Sequence, residues 1–188
     1  MAASGTPSTT APEAHHWLLL VYRVPSEPTR LRAAVWRRLK ALGAVYVQNS
    51  AAALPAGGTG ERDLRKLHHD IVEMSGTALL LTAEPVLGGA DLRRLFLAAR
   101  DDEYNEIIDK CGDFLAGLEK EYANAHFTFA ELEENEEDLA KLARWLDRIE
   151  RRDLLGASHH DRTLAEMRRC ETAMAAYADR VYAEQGDA

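Results

Sequence analysis

The stretch WLLLVYRVPSEPTRLRAAVWRRLKALGAVYVQNSAAALP, residues 17–55, decides the fold of the amino-terminal half. Its first seven residues, 17–23, form an apolar run rich in side chains that favour strands. Apolar residues then recur at helical spacing, which predicts a helix over about 27–42. Ser26 before this segment is a typical N-cap, and Gly43 after it is a typical stop signal. The stretch therefore opens with a strand followed by a helix.

The same reasoning carries the pattern to residue 86. The predicted elements after the first helix are short strands at 44–48 and 51–54, a helix at about 61–74, and a strand at 77–86 buried on both faces. The two short strands flank Asn49–Ser50, either as a hairpin or as one bent strand. The resulting order, β-α-β-β-α-β, is the split βαβ or ferredoxin-like pattern.

From Gly89 onward the sequence is helical. A proline-free helix is predicted over 90–123, followed by a connector at 124–135 and a helix capped by Asn135. A last helix completes an antiparallel hairpin. The predicted fold class is α+β, with a ferredoxin-like βαββαβ half followed by a long helix and a helical hairpin. The predicted domains are a disordered tail (1–15), a basic ferredoxin-like domain (16–88) and an acidic helical domain (89–188).

Composition separates the two halves by charge. Residues 1–100 carry 12 Lys and Arg against 8 Asp and Glu, whereas residues 101–188 carry 11 against 23. The chain has only two cysteines, which argues against a disulfide framework and favours a reducing cytoplasm. Its longest apolar runs are too short to span a membrane. We therefore expect a cytoplasmic protein with no membrane partner.

Three blocks resemble one family. The stretch 17–55, the segment LFLAARDDEYNEIIDKC (95–111) and the segment FTFAELEENEEDLAKLARWLDRIERRDLLGA (127–157) resemble, in order, the N-terminal domain of the ChrB family. ChrB is known as a bacterial chromate-resistance protein and a chromate-responsive regulator, so the resemblance implies such a role here. Full-length ChrB proteins carry a further C-terminal domain, which we expect this chain to lack. Whether another protein supplies that domain stays open.

A basic cluster lies on and beside the first predicted helix. Six basic residues fall within 18 positions, and the predicted anion- or DNA-binding residues among them are Arg23, Arg30, Arg37, Arg38 and Lys40. Arginine forks match phosphate and tetrahedral oxyanions with paired N–H donors. Three interpretations stay open: a solvated helix face, contacts with DNA backbone, and a site for a small anion.

Arg100 is the second candidate. It lies between Phe96 and Tyr104 at four-residue spacing, on the apolar stripe of the long helix. An inward arginine requires a partner, so we expect a carboxylate or a bound anion within hydrogen-bond reach. One interpretation is a structural Arg–carboxylate pair, with Glu103 one turn away. The other is an anion pocket between the sheet domain and the helices, lined by Trp36, Gln48, Arg100, Glu103 and Tyr104.

Metal and enzyme signatures are weak. No Cys/His cluster has zinc spacing, and His68 and His69 are the leading candidates for a metal or haem ligand. Neither a P-loop nor a nucleophile elbow occurs. No cofactor is required by the sequence.

Three functions are compatible with these observations. The first is a ChrB-like cytoplasmic regulator or sensor that binds a chromate-like oxyanion, DNA backbone, or both through the basic half. The second is a small-molecule enzyme, with metal or haem, whose pocket lies between the sheet and the long helices. The third is an interaction module, in which the helical hairpin extends a homodimer.

Overall fold

The computed structural model of this chain describes residues 16–186, so the predicted tail at 1–15 lies outside the described residues. The described part is a mixed α/β structure. Its elements are β1 (Trp17–Arg23), α1 (Arg30–Leu42), β2 (Val45–Gln48), β3 (Ala51–Pro55), α2 (Gly60–Glu73), β4 (Thr77–Ala83), α3 (Gly89–Ala123), α4 (Phe129–Glu150) and α5 (His160–Gly186). None of the helices within this part is both long and apolar enough to cross a bilayer.

The residues divide by their contacts into two units. Among the described residues, the first comprises 16–39 and Tyr46–Gly89, and the second comprises Lys40–Val45 and 90–186. The short segment Lys40–Val45, which contains the end of α1 and Gly43, belongs to the second unit.

The first unit contains a four-stranded antiparallel sheet with the strand order β2-β3-β1-β4. Strand β1 is antiparallel to both of its neighbours, and Leu18 pairs with Leu54 of β3 and Thr82 of β4. Helix α2 packs on β1 and β4. The buried apolar residues of this unit are mostly small or branched and include Trp17, Leu18, Leu20, Val35, Leu39, Ala52, Ala53, Leu54, Leu64, Leu67 and Ile71. Since β2 and β3 are adjacent and joined by Asn49–Ser50, the hairpin alternative is the one observed.

The second unit is helical, and its core lies among α3, α4 and α5. Helices α4 and α5 are antiparallel: His160 at the start of α5 contacts Glu150 at the end of α4, and Gln185 donates to the carbonyl of Phe127 just before α4. The apolar residues at the centre of the core include Tyr104, Ile107, Cys111, Leu146, Ile149, Cys170, Tyr177 and Val181. Cys111 and Cys170 are both fully buried in this core.

Two predicted boundaries at helix starts are wrong. Helix α1 begins at Arg30 and not near Glu27, because a residue that precedes proline is disfavoured in the helical conformation. Helix α4 begins at Phe129 and not after Asn135, since the Thr128 hydroxyl caps the helix by accepting from the Glu131 amide at 3.2 Å. Asn135 lies inside α4, where its side chain donates to the Glu131 carbonyl.

The predicted strand at 77–86 is also corrected. Strand β4 ends at Ala83, just before Glu84-Pro85, and it is not buried on both faces. Leu79 is 55% exposed and Leu81 is 39% exposed. Strand β4 is at the edge of the sheet, and an antiparallel sheet can leave one face open to solvent.

Candidate functional site

Arg100 is buried on α3 with a carboxylate beside it, as its position on the apolar stripe predicts. Its side chain is 4% exposed, and its Nε lies 3.1 Å from Oε2 of Glu103. Its Nη1 donates to the Gly43 carbonyl at 3.0 Å, and its guanidinium lies 5.1 Å from the centre of the Phe96 ring. Burial lowers the pKa of Arg100, and the Glu103 charge opposes that effect.

A second arginine, Arg152, shares the same carboxylate. Its Nη2 lies 3.0 Å from Oε1 of Glu103, and its Nη1 donates to the Ala41 carbonyl at 3.2 Å. One buried carboxylate is therefore set between two arginines. The spare positive charge faces the carbonyls of Ala41 and Gly43, which lie at the negative end of α1. We name Arg100, Glu103 and Arg152, with these two carbonyls, the arginine clamp.

Gly43 is fitted to the clamp. Its φ is +77°, a region that favours glycine, and a Cβ at this position would overlap Nη1 of Arg100. The clamp is an ion-pair network in which each guanidinium group contacts the Glu103 carboxylate and one main-chain carbonyl. The prediction that Arg100 and Glu103 line an anion pocket stays a prediction.

Tyr104 faces a different environment. Its hydroxyl donates to Oδ2 of Asp153 at 3.2 Å, and burial together with the Asp153 charge raises the pKa of Tyr104. Tyr104 lines a cavity of about 440 Å³, whose other lining residues include Glu150, Asp153, His160 and Asp161. Three carboxylates repel an anion, so the surroundings of Tyr104 disfavour the predicted anion contact.

The basic residues of the first unit and of the end of α1 differ in how accessible they are to an anion. Arg38 forms an ion pair with Asp70 of α2, while Arg23, Arg30, Arg37 and Lys40 have exposed side chains. An exposed guanidinium keeps its N–H donors accessible to an anion, whereas Arg38 would have to leave Asp70 first. Arg30 and Arg37 are thus the more accessible pair on α1.

A cavity of about 490 Å³ lies beside β1 and α1 in the first unit. It is lined by Tyr22, Arg23, Val24, Arg32, Trp36, Tyr46, Asn49 and Ser50. A neighbouring cavity of about 590 Å³ shares Arg23, Val24 and Arg32. Two arginines, two phenol hydroxyls and an indole are thus grouped on one surface. We name the 490 Å³ cavity the Arg23–Arg32 cavity.

The polar groups of the Arg23–Arg32 cavity suit an anionic ligand. The hydroxyls of Tyr22 and Tyr46 lie 3.0 Å apart, and burial followed by this hydrogen bond raises the pKa of Tyr46. A phenol that stays protonated remains a donor. Arg32 donates to the Ser26 carbonyl at 3.0 Å. Of the predicted site residues, Arg23 and Trp36 line this cavity, whereas Gln48 is exposed on β2 and is not among its lining residues.

The comparisons with known proteins identify the family. The family model described as Protein ChrB, N-terminal, matches residues 32–188. The chain belongs to the ChrB N-terminal family. The match takes in Arg32, Trp36 and Tyr46 of the cavity and the whole of the arginine clamp, whereas Tyr22 and Arg23 precede it. No curated protein and no solved structure was found to match this ChrB-family chain.

The predicted metal or haem ligands of this ChrB-family chain do not converge. His68 Nε2 lies 3.1 Å from the Ala78 carbonyl, and His69 Nε2 lies 3.5 Å from Oε1 of Glu73. Within residues 16–186, three ligand atoms converge instead at Glu121, His126 and Glu131. Sequence spacing alone did not indicate this group, because His126 lies in the loop between two helices.

Proposed function

We propose that this ChrB-family chain is a chromate-resistance protein that senses a tetrahedral oxyanion in the Arg23–Arg32 cavity. Membership in the ChrB family supports the link to chromate resistance. The observation that carries the anion site is the grouping of Arg23, Arg32 and the Tyr22–Tyr46 hydroxyl pair around one opening. Chromate and sulfate are tetrahedral dianions, so paired guanidinium and phenol donors suit both.

We also propose that the first unit is a ferredoxin-like domain. Its element order, β-α-β-β-α-β, and the central position of β1 and β3 in the sheet support this assignment. In this arrangement β1 and β2 flank β3 and run in the same direction. The loops that follow β1 and β2 therefore lie at the same end of the sheet. The cavity residues come from these two loops, from the strand ends before them and from α1.

Oxyanions are expected to stabilise the protein against heat. A ligand at 100 times its dissociation constant adds about 2.7 kcal/mol to the free energy of unfolding of the unit that binds it. For a chain of this size that corresponds to a rise in melting temperature of roughly 5–10 °C. Melts with chromate, sulfate or phosphate are compared with melts in chloride at matched ionic strength.

Two variants locate the effect. The double change Arg23→Gln with Arg32→Gln is expected to abolish the anion-dependent rise, while Arg30→Gln on the same helix leaves it unchanged, because Arg30 does not line the cavity. A wild-type melt that no oxyanion shifts would rule out sensing of these anions, and an equal loss in Arg30→Gln would place binding elsewhere.

DNA backbone is a second candidate ligand, favoured by the exposure of Arg30 and Arg37 at seven-residue spacing on α1. If these two residues contact phosphates, binding to the promoter DNA of its own operon weakens as salt rises, since each neutralised phosphate releases counterions. Replacing both by alanine is expected to reduce the salt slope by roughly 2. Arg144→Ala with Arg148→Ala on α4 is the control pair, and a slope that only this control changes would overturn the assignment.

A further inference from the structure

Three potential metal ligands meet where α3 ends and α4 begins. Glu121 lies in the last turn of α3, His126 in the connecting loop, and Glu131 in the first turn of α4. One ligand atom from each residue lies within 4.8 Å of the other two. His126 Nδ1 and Glu121 Oε2 lie 3.0 Å apart.

The main chain around these ligands is held in place. The His126 amide donates to the Glu121 carbonyl at 3.0 Å, and the Glu131 amide donates to the Thr128 hydroxyl at 3.2 Å. From α5, the Tyr177 hydroxyl donates to the His126 carbonyl at 2.5 Å. The three ligands therefore converge through contacts with all three helices of the second unit, and not through one mobile loop.

Other histidine–carboxylate contacts in the described part of the chain lack this convergence. His160 contacts two carboxylates, but through opposite ring nitrogens: Nε2 is 2.8 Å from Glu150 and Nδ1 is 3.2 Å from Asp161. One ion cannot bind both of those carboxylates and the ring. His69 contacts a single carboxylate, that of Glu73.

We propose that Glu121, His126 and Glu131 bind one divalent first-row transition-metal ion, with Zn²⁺ as the probe. One imidazole and two carboxylates are ligands for such ions, and the imidazole disfavours Mg²⁺ and Ca²⁺, which prefer oxygen. The two carboxylates also balance the charge of a divalent ion.

The geometry suits an open site. Ligand atoms about 2.0–2.2 Å from a zinc ion lie roughly 3–3.5 Å apart, which the His126–Glu121 pair already satisfies. A side-chain rotation of Glu131, whose ligand atom lies within 4.8 Å of the other two, would complete the site. Because the His126 side chain is 55% exposed, the remaining coordination positions face solvent and accept water or an external ligand. The bound ion would join the end of α3 to the start of α4.

Zinc binding is tested on the full chain by calorimetric titration after metal removal, with thermal melts in parallel. We expect one ion per chain and a higher melting temperature, and Co²⁺ bound in place of Zn²⁺ gives a visible absorption spectrum. His126→Ala and Glu131→Gln are each expected to weaken binding by at least about tenfold. The control variants His69→Ala and His160→Ala keep the wild-type affinity, and Mg²⁺ produces no shift.

Several results would overturn the proposal. Equal zinc affinity in wild type, His126→Ala and Glu131→Gln would place binding elsewhere, for instance at His15 and His16, which are present in all variants. A loss in His126→Ala without a loss in Glu131→Gln would reduce the group to an ordinary His–Glu contact. Circular dichroism of the metal-free variants shows whether each one is folded before it is compared.

Discussion

Replacing Glu103 by glutamine is expected to lower the free energy of unfolding of the second unit by about 3–5 kcal/mol. Glu103 is the carboxylate that both clamp arginines share, and its side chain is 15% exposed. The change keeps the size of the side chain but removes its charge. Arg100 and Arg152, which are 4% and 17% exposed, are then left close together with no counter-charge between them. Urea denaturation followed by circular dichroism measures the loss.

The arginine side of the clamp is expected to be more tolerant. Arg100→Met removes one buried positive charge, fills much of the same volume beside Phe96, and leaves Glu103 paired with Arg152. Its cost is therefore expected to be smaller than that of Glu103→Gln, since a buried ion pair replaced by apolar packing is often close to neutral. Combining the two changes is expected to recover part of the Glu103→Gln loss, because only one unpaired arginine remains.

Glu106→Gln is the matched control for these variants. Glu106 is an exposed acid on the same helix, so its replacement is expected to change stability by no more than about 0.5 kcal/mol. If Glu103→Gln is as mild as this control, or if Arg100→Met is the more costly of the two clamp variants, the clamp does not depend on the shared carboxylate.

The clamp marks how far sequence reasoning reaches. The spacing of Phe96, Arg100 and Tyr104 was enough to predict an inward arginine, and Glu103 followed as a partner one turn away. Arg152 could not be predicted, because it approaches Glu103 from another helix end and 49 residues later in the chain. The same holds for Gly43, whose carbonyl meets Arg100 across 57 residues. Local periodicity indicates which residues are buried, but not what they meet.

Errors at element ends have a similar origin. Two N-cap signals compete before α4: Thr128 with Glu131, and Asn135 with the acids after it. Both fit the local preference, and the first is used because the loop before it is fixed by hydrogen bonds from α5. Strand β1, by contrast, was predicted at its observed bounds, since an apolar run of seven residues between polar stretches leaves no competing alternative.

The Arg23–Arg32 cavity could be predicted only in part. The basic cluster includes Arg23 at the end of β1, and the aromatic Trp36 lies among its members on α1. The contribution of Tyr22 and Tyr46 depends on the strand order, because β3 separates the two strands that carry them. The ion pair between Arg38 and Asp70, which makes Arg38 less available to an anion, depends likewise on how α1 and α2 pack. Charge patterning located the surface, and the sheet topology selects which of its residues face one opening.

Replacing Gly43 by alanine is expected to cost roughly 2–4 kcal/mol, the sum of two effects. The first is backbone strain, because φ at this residue is +77°. The second is steric: the new Cβ overlaps Nη1 of Arg100 and lies 3.0 Å from Cδ of Arg152, so both clamp arginines must shift. Urea denaturation again measures the change in the free energy of unfolding.

Gly156→Ala separates the two effects. Gly156 lies in the same unit with a φ of +71°, but a Cβ there would meet nothing within 4 Å. Its replacement is expected to cost only the strain, about 1 kcal/mol. Gly43→Ala in the Arg100→Met background should come closer to this value, because the overlap with Nη1 of Arg100 is gone and the contact with Cδ of Arg152 remains. Equal losses for Gly43→Ala and Gly156→Ala in the wild-type background would mean that Arg100 moves aside freely. The guanidinium would then be mobile enough to reach a ligand, which would support the anion role predicted for Arg100.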